Sequence, residues 1–154
     1  MDTPHRNYAY SGRLIRLGVL LLLLGLFTGL LIPNVANPRM GLSSHVEGVM
    51  SGILLVVTGL LWSRVRLGEK VMRGASWLLV YGAYANWVNT LLAAVWAAGG
   101  SMMPMASLGR RGSPMQEGII GFLSVTLALA LLSGMSLVLW GLRGGTEPAR
   151  EDQG

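Results

Sequence analysis

The chain has 154 residues, of which 52% are hydrophobic and 12% charged, with 22 glycines, a net charge of +5 and no cysteine. Soluble domains carry about a quarter of their residues as Asp, Glu, Lys or Arg, so this composition excludes an ordinary soluble fold and reads as a membrane protein. The missing cysteine excludes disulfides, thiolate metal sites, iron–sulfur clusters and cysteine nucleophiles. The basic residues lie at the ends of apolar runs, which explains the charge without nucleic acid.

Crossing roughly 30 Å of hydrocarbon takes about 20 apolar residues in a helix. Four segments meet that standard, at about 14–32, 45–62, 75–98 and 118–142. They predict an all-α integral membrane four-helix bundle forming one domain, residues 14–142, with short connections and antiparallel neighbours. The first follows Arg13 and Arg16, as the apolar core of a secretory signal follows its basic residues, but Pro33-Asn-Val-Ala-Asn37 offers no good cleavage site, so it is read as a retained helix. Residues 1–13 read as an N-terminal cytoplasmic segment, and the polar, glycine-rich residues 143–154 as a disordered tail.

Cytoplasmic loops are enriched in Lys and Arg. Arg6, Arg13, Arg16, Arg64, Arg66, Lys70, Arg73, Arg143 and Arg150 share one side, against Arg39, Arg110 and Arg111 on the other. The asymmetry places both termini in the cytoplasm, and the expected location is a bacterial inner membrane. Trp62, Trp77, Trp96 and Trp140 fall near the ends of the spans, where indole rings suit the headgroup layer.

Polar residues inside a span are expensive and point to function. The first and fourth spans offer only hydroxyls that can bond to their own helix, together with the glycine spacings Gly25-x-x-x-Gly29 and Gly118-x-x-Gly121; both read as scaffold. The second begins Asn37-Pro-Arg-Met-Gly-Leu-Ser-Ser-His-Val-Glu-Gly-Val-Met-Ser-Gly52. Ser44-x-x-Glu47 fits a capping box, which accounts for Glu47 as a cap rather than a catalytic carboxylate. His45 would then open the helix, close to the positive end of its dipole, which favours the neutral imidazole that binds metals. A headgroup contact would equally suit a histidine there. Gly41, Gly48 and Gly52 fall near the same side and leave room for a flat ligand or another helix.

The third span carries Tyr81-Gly-Ala-Tyr-Ala-Asn-Trp-Val-Asn-Thr90. Its asparagines could join helices to one another, or Tyr84, Asn86 and Asn89 could line a pocket facing the second span. With Glu47 assigned to a cap, no span has an acid or lysine at its middle, so a proton-coupled exporter lacks its central group. Two histidines, His5 and His45, exclude a multi-histidine metal site within one chain. No hydrolase triad and no nucleotide fingerprint appears.

The blocks 37–52 and 81–90 resemble the bacterial hydroxylaminobenzene mutases, small membrane enzymes that convert hydroxylaminobenzene to 2-aminophenol. More distantly the chain is similar to styrene oxide isomerases, in which a histidine at the start of the second helix binds haem b between subunits of a trimer. His45, Gly52 and Asn86 match that pattern, whereas Ser51 stands where an asparagine is expected and the epoxide-holding tyrosine has no clear counterpart. The resemblance implies His45 as ligand to haem iron beside Gly48 and Gly52. It also implies Ser51, Tyr84, Asn86 and Asn89 as substrate-orienting residues, a small aromatic substrate, and a homo-oligomer, a trimer by analogy. Ferric iron would act as a Lewis acid on the substrate hydroxyl. An aryl epoxide isomerase, or a non-enzymatic haem-binding or packing subunit, are the alternatives.

Overall fold

A computed structural model describes the backbone of residues 3–143 and the side chains of residues 9–143. Arg150, the polar tail and the side chains of His5 and Arg6 lie outside the described residues. The elements are α1 (Thr3–Leu31), α2 (Pro38–Leu61), α3 (Glu69–Trp96), the short α4 (Pro104–Ser107) and α5 (Pro114–Leu142). Four of them, α1, α2, α3 and α5, are long and apolar enough to cross a membrane.

All four helices start earlier than hydropathy suggests, and for α2, α3 and α5 the caps lie upstream of the apolar runs. Asn37 caps α2, its Oδ1 accepting from the Met40 N–H at 3.4 Å, with Pro38 in the first turn. Proline suits that position because its missing N–H would have had no partner there. Helix α3 opens at Gly68-Glu69. Helix α5 opens with a capping box: Ser113 Oγ accepts from the Gln116 N–H, and Gln116 Oε1 accepts from the Ser113 N–H.

The spans form an open row rather than a closed bundle. Helix α1 packs along α2, α2 on α3, and α3 on α5, while α1 touches α3 and, among the described residues, no comparable contact joins α5 to α1 or α2. The α1–α2 seam is made by glycines. A Cβ on Gly25 would lie 2.6 Å from the Val49 nitrogen, one on Gly48 2.6 Å from the Gly25 Cα, and one on Gly52 2.7 Å from the Leu22 nitrogen. Backbones this close gain dispersion contacts without an entropy cost for ordering side chains.

Trp62 is 0% exposed, part of a core with Leu14, Leu21, Leu55 and Leu79, so it is a packing residue and not an interfacial anchor. Trp77 and Trp140 are exposed, and the Arg13 guanidinium stacks 4.0 Å from the centroid of the Trp77 ring. Between α3 and α5, Glu117 ties the connection together. Its Oε1 accepts from the N–H groups of Gly99, Gly100 and Gly112 at 2.8, 3.3 and 2.9 Å, and its Oε2 from Ser101 at 3.2 Å.

Candidate active site

Since α2 starts at Pro38, His45 is its eighth residue and Glu47 its tenth. The expected capping box at Ser44 and Glu47 does not form. Ser44 Oγ donates to the Trp87 carbonyl at 3.2 Å instead, and Asn37 does the capping. Glu47 lies roughly 14 Å along the axis from the helix start, at 1.5 Å per residue, near the middle of the span. The expectation that no span holds a central acid is therefore overturned.

Two residues apart on a helix, side chains diverge by about 200°, so His45 and Glu47 look in nearly opposite directions. His45 faces α1. Its ring packs over Gly29, where a Cβ would come within 2.8 Å of Nδ1, and Nδ1 lies 2.8 Å from the Gly25 carbonyl. A carbonyl can only accept, so Nδ1 carries a proton, and in the neutral imidazole the lone pair is then on Nε2. Among the described residues Nε2 has no hydrogen-bond partner. The ring is thus oriented by α1, and His45 lies about two turns from the helix start, beyond the first turn where the dipole expected to favour a neutral imidazole acts.

Glu47 faces α3, where Asn86 Nδ2 donates to its Oε2 and also approaches Ser51 Oγ at 3.5 Å. Glu47 and Asn86 are half-buried, and Ser51 is buried. Because α3 packs on both α2 and α5 while those two stay apart, the gap between them is a groove with α3 as its floor. Asn86 lies between the α3 residues that meet the two walls, and Glu47 and Ser51 stand on the α2 wall.

The remaining candidate residues go elsewhere. Asn89 Nδ2 donates to Ser124 Oγ on α5 at 2.9 Å, its Oδ1 buried without a partner. The Tyr84 hydroxyl donates to the Leu17 carbonyl on α1 at 2.9 Å. Tyr84, Asn86 and Asn89 therefore bond to three different helices rather than lining one pocket. Gly48 and Gly52 face the α1 backbone, so of the two occupants their missing side chains allow, the structure holds a helix. Trp87 adds an unexpected tie, its Nε1 donating to Thr28 Oγ1 at 3.0 Å. The overlooked residue is Glu47. Asn37-Pro38, an N-cap followed by a first-turn proline, is the signal that would have freed it from a capping role.

Comparisons with known proteins identify the family. The family model described as styrene oxide isomerase matches residues 10–143. The chain belongs to the styrene oxide isomerase family. Hydroxylaminobenzene mutase HabB of Ectopseudomonas oleovorans is 48% identical over 152 residues, covering 99% of this chain and 92% of that protein. Hydroxylaminobenzene mutase HabA of the same organism is 42% identical over 125 residues, covering 81% and 93%. No solved structure matches. Membership of the styrene oxide isomerase family, with mutases as relatives, makes the chain an isomerase and sets aside a purely structural subunit.

The His45 environment fits a haem-type ligand better than a bare metal ion. Among the described residues no group of three or more His, Cys, Asp or Glu side chains could cage an ion. A single imidazole with its Nδ1–H fixed by a carbonyl could serve as the one protein ligand of a group that brings its other donors with it.

Proposed function

We propose that the chain rearranges hydroxylaminobenzene, or a closely related arylhydroxylamine, to the corresponding 2-aminophenol. The observation that carries this reading is the 48% identity to a hydroxylaminobenzene mutase over nearly the whole chain. The Glu47–Asn86–Ser51 cluster supplies hydrogen-bonding groups for a substrate that can both donate and accept.

His45 would hold haem b through Nε2, and ferric iron there would supply Lewis acidity toward the substrate hydroxyl oxygen. Gly25 holds the imidazole through its carbonyl, and Gly29 gives the ring a flat seat. Asn86 and Ser51 orient the polar end of the substrate, and the apolar groove keeps water from competing with the migrating oxygen. Tyr84 and Asn89 hold α3 against α1 and α5, so their contribution is to place Asn86.

His45 and the Glu47 cluster stand on opposite flanks of α2, and the face between them carries exposed Leu42, Val46, Met50 and Ile53. A homo-oligomer that buries this face would bring the His45 of one copy beside the polar groove of the next; a trimer is the assembly the family resemblance suggests. The excess of Lys and Arg on one side supports cytoplasmic termini in a bacterial inner membrane.

The test is to supply hydroxylaminobenzene and, separately, styrene oxide to membranes containing the protein and to identify the products by chromatography. The expected outcome is 2-aminophenol from the first, with little or no phenylacetaldehyde from the second. Aldehyde formation at comparable rates would favour epoxide isomerisation, the reaction named by the matching family. A Soret band in purified protein that disappears in His45→Ala supports the haem assignment. Full mutase activity in colourless wild-type protein overturns it.

A further inference from the structure

Glu47 is a carboxyl group near the middle of an apolar span, and the sequence rationale for it as a helix cap disappears once Asn37 is seen to cap α2. Several other polar groups within the spans are already engaged. Thr28 and Thr58 donate to carbonyls of their own helix at 2.8 and 2.7 Å, and Ser44 and Tyr84 to carbonyls of neighbouring helices. Glu117 is filled by four backbone N–H groups. Glu47, in contrast, receives one bond, from Asn86. Two carboxylate oxygens offer about four acceptor sites, so among the described residues most of its capacity is unused.

We propose that Glu47 selects an arylhydroxylamine over an aryl epoxide by accepting a hydrogen bond from the substrate N–H, a role that rests on the mutase reading above. The chemistry of the two candidate substrates differs at this point. An arylhydroxylamine carries an N–H that can donate to a carboxylate, while its hydroxyl is the group the Lewis acid would take in the reading above; an epoxide has no N–H and its oxygen only accepts. Placed against the Glu47 oxygens, an epoxide would leave an intramembrane carboxylate stripped of water with nothing in return, which discriminates against it even where it fits by shape. Asn86 holds the carboxylate from the floor of the groove with its Nδ2–H, so its partner on the other side must be a donor.

The experiment compares wild type and Glu47→Gln in membranes with two substrates, hydroxylaminobenzene and N-methyl-N-phenylhydroxylamine, which keeps the hydroxyl and lacks the N–H. Gln preserves shape but replaces a charged acceptor by a neutral one. A charge-assisted hydrogen bond lost in this way lowers kcat/KM for hydroxylaminobenzene by about tenfold to a hundredfold. The same substitution leaves kcat/KM for the N-methyl compound nearly unchanged, since that substrate never made the bond. Comparing variants within each substrate removes the bulk of the methyl group from the comparison. Equal losses on both substrates, as a structural role would give, overturn the assignment, and so does full retention on both. Should Glu47→Gln not accumulate, Glu47→Asp takes its place. A displaced carboxylate narrows the preference for the N–H substrate, and an unchanged preference overturns the proposal. Wild-type protein that leaves hydroxylaminobenzene unconverted overturns the mutase reading and this role with it. A converting wild type whose Glu47→Gln form keeps its full preference overturns the role alone.

Discussion

Asn37 joins three parts of the molecule through one side chain and one peptide. Its Oδ1 caps α2, its Nδ2 donates to the carbonyls of Ala106 and Ser107 at 3.4 Å each, and its backbone N–H donates to Ala94 at the end of α3 at 2.9 Å. Removing the side chain loses a cap and the two bonds to the Ala106 and Ser107 carbonyls, so Asn37→Ala is expected to destabilise the fold by about 1–3 kcal/mol. A lowered thermal midpoint in detergent, without a change in product identity, checks it. Asn86 and Asn89 separate in the same kind of measurement. Asn89→Ala, which breaks a bond between α3 and α5, should cost on the order of 1 kcal/mol of stability with KM little altered. Asn86→Ala should raise KM or lower kcat at nearly unchanged thermal midpoint. Sequence alone put both residues in one pocket because they lie on one stripe of α3. It could not tell that the two edges of that stripe meet different neighbours.

The pairing of α1 with α2 depends on glycines whose missing side chains are occupied by the opposite backbone. Gly25→Ala would drive a methyl into the Val49 amide, a contact backbone cannot relieve by choosing another rotamer, and should destabilise by about 1–3 kcal/mol. Gly74, in α3, provides the contrast, since a Cβ added there would meet nothing within 4 Å. Gly74→Ala should stabilise α3 by about 0.5–1 kcal/mol through helix propensity. Paired thermal melts of the two variants decide whether close approach or composition matters. Helix existence was legible from hydropathy, and the helix starts were not, in three cases for a physical reason. Asn37-Pro38, Gly68-Glu69 and Ser113-Pro114 are polar positions at the membrane edge, where hydropathy is low but a helix already needs its caps. That displacement had chemical consequences, since it moved Glu47 from a helix end to the middle of a span.

At the scale of the whole molecule, the four spans were readable while their arrangement was not. In a bilayer, a leucine facing lipid and one facing another helix look alike in sequence, so periodicity does not say which helices touch. Helix α5 is the clearest case: it is attached through α3, and Phe122, Leu129 and Leu132 are 67%, 61% and 69% exposed. With α2 also presenting Leu42, Val46, Met50 and Ile53 outward, size-exclusion chromatography with light scattering in mild detergent is expected to give an oligomer, and a monomer would count against an intersubunit site. The row has a further consequence for how reactants arrive. A trough walled by α2 and α5 and floored by α3 has no fourth helix of its own chain across its mouth, so a ring compound dissolved among acyl chains can slide in sideways without recrossing the headgroups. Turnover across a series of alkylated rings would then follow their oil–water partition as much as their fit.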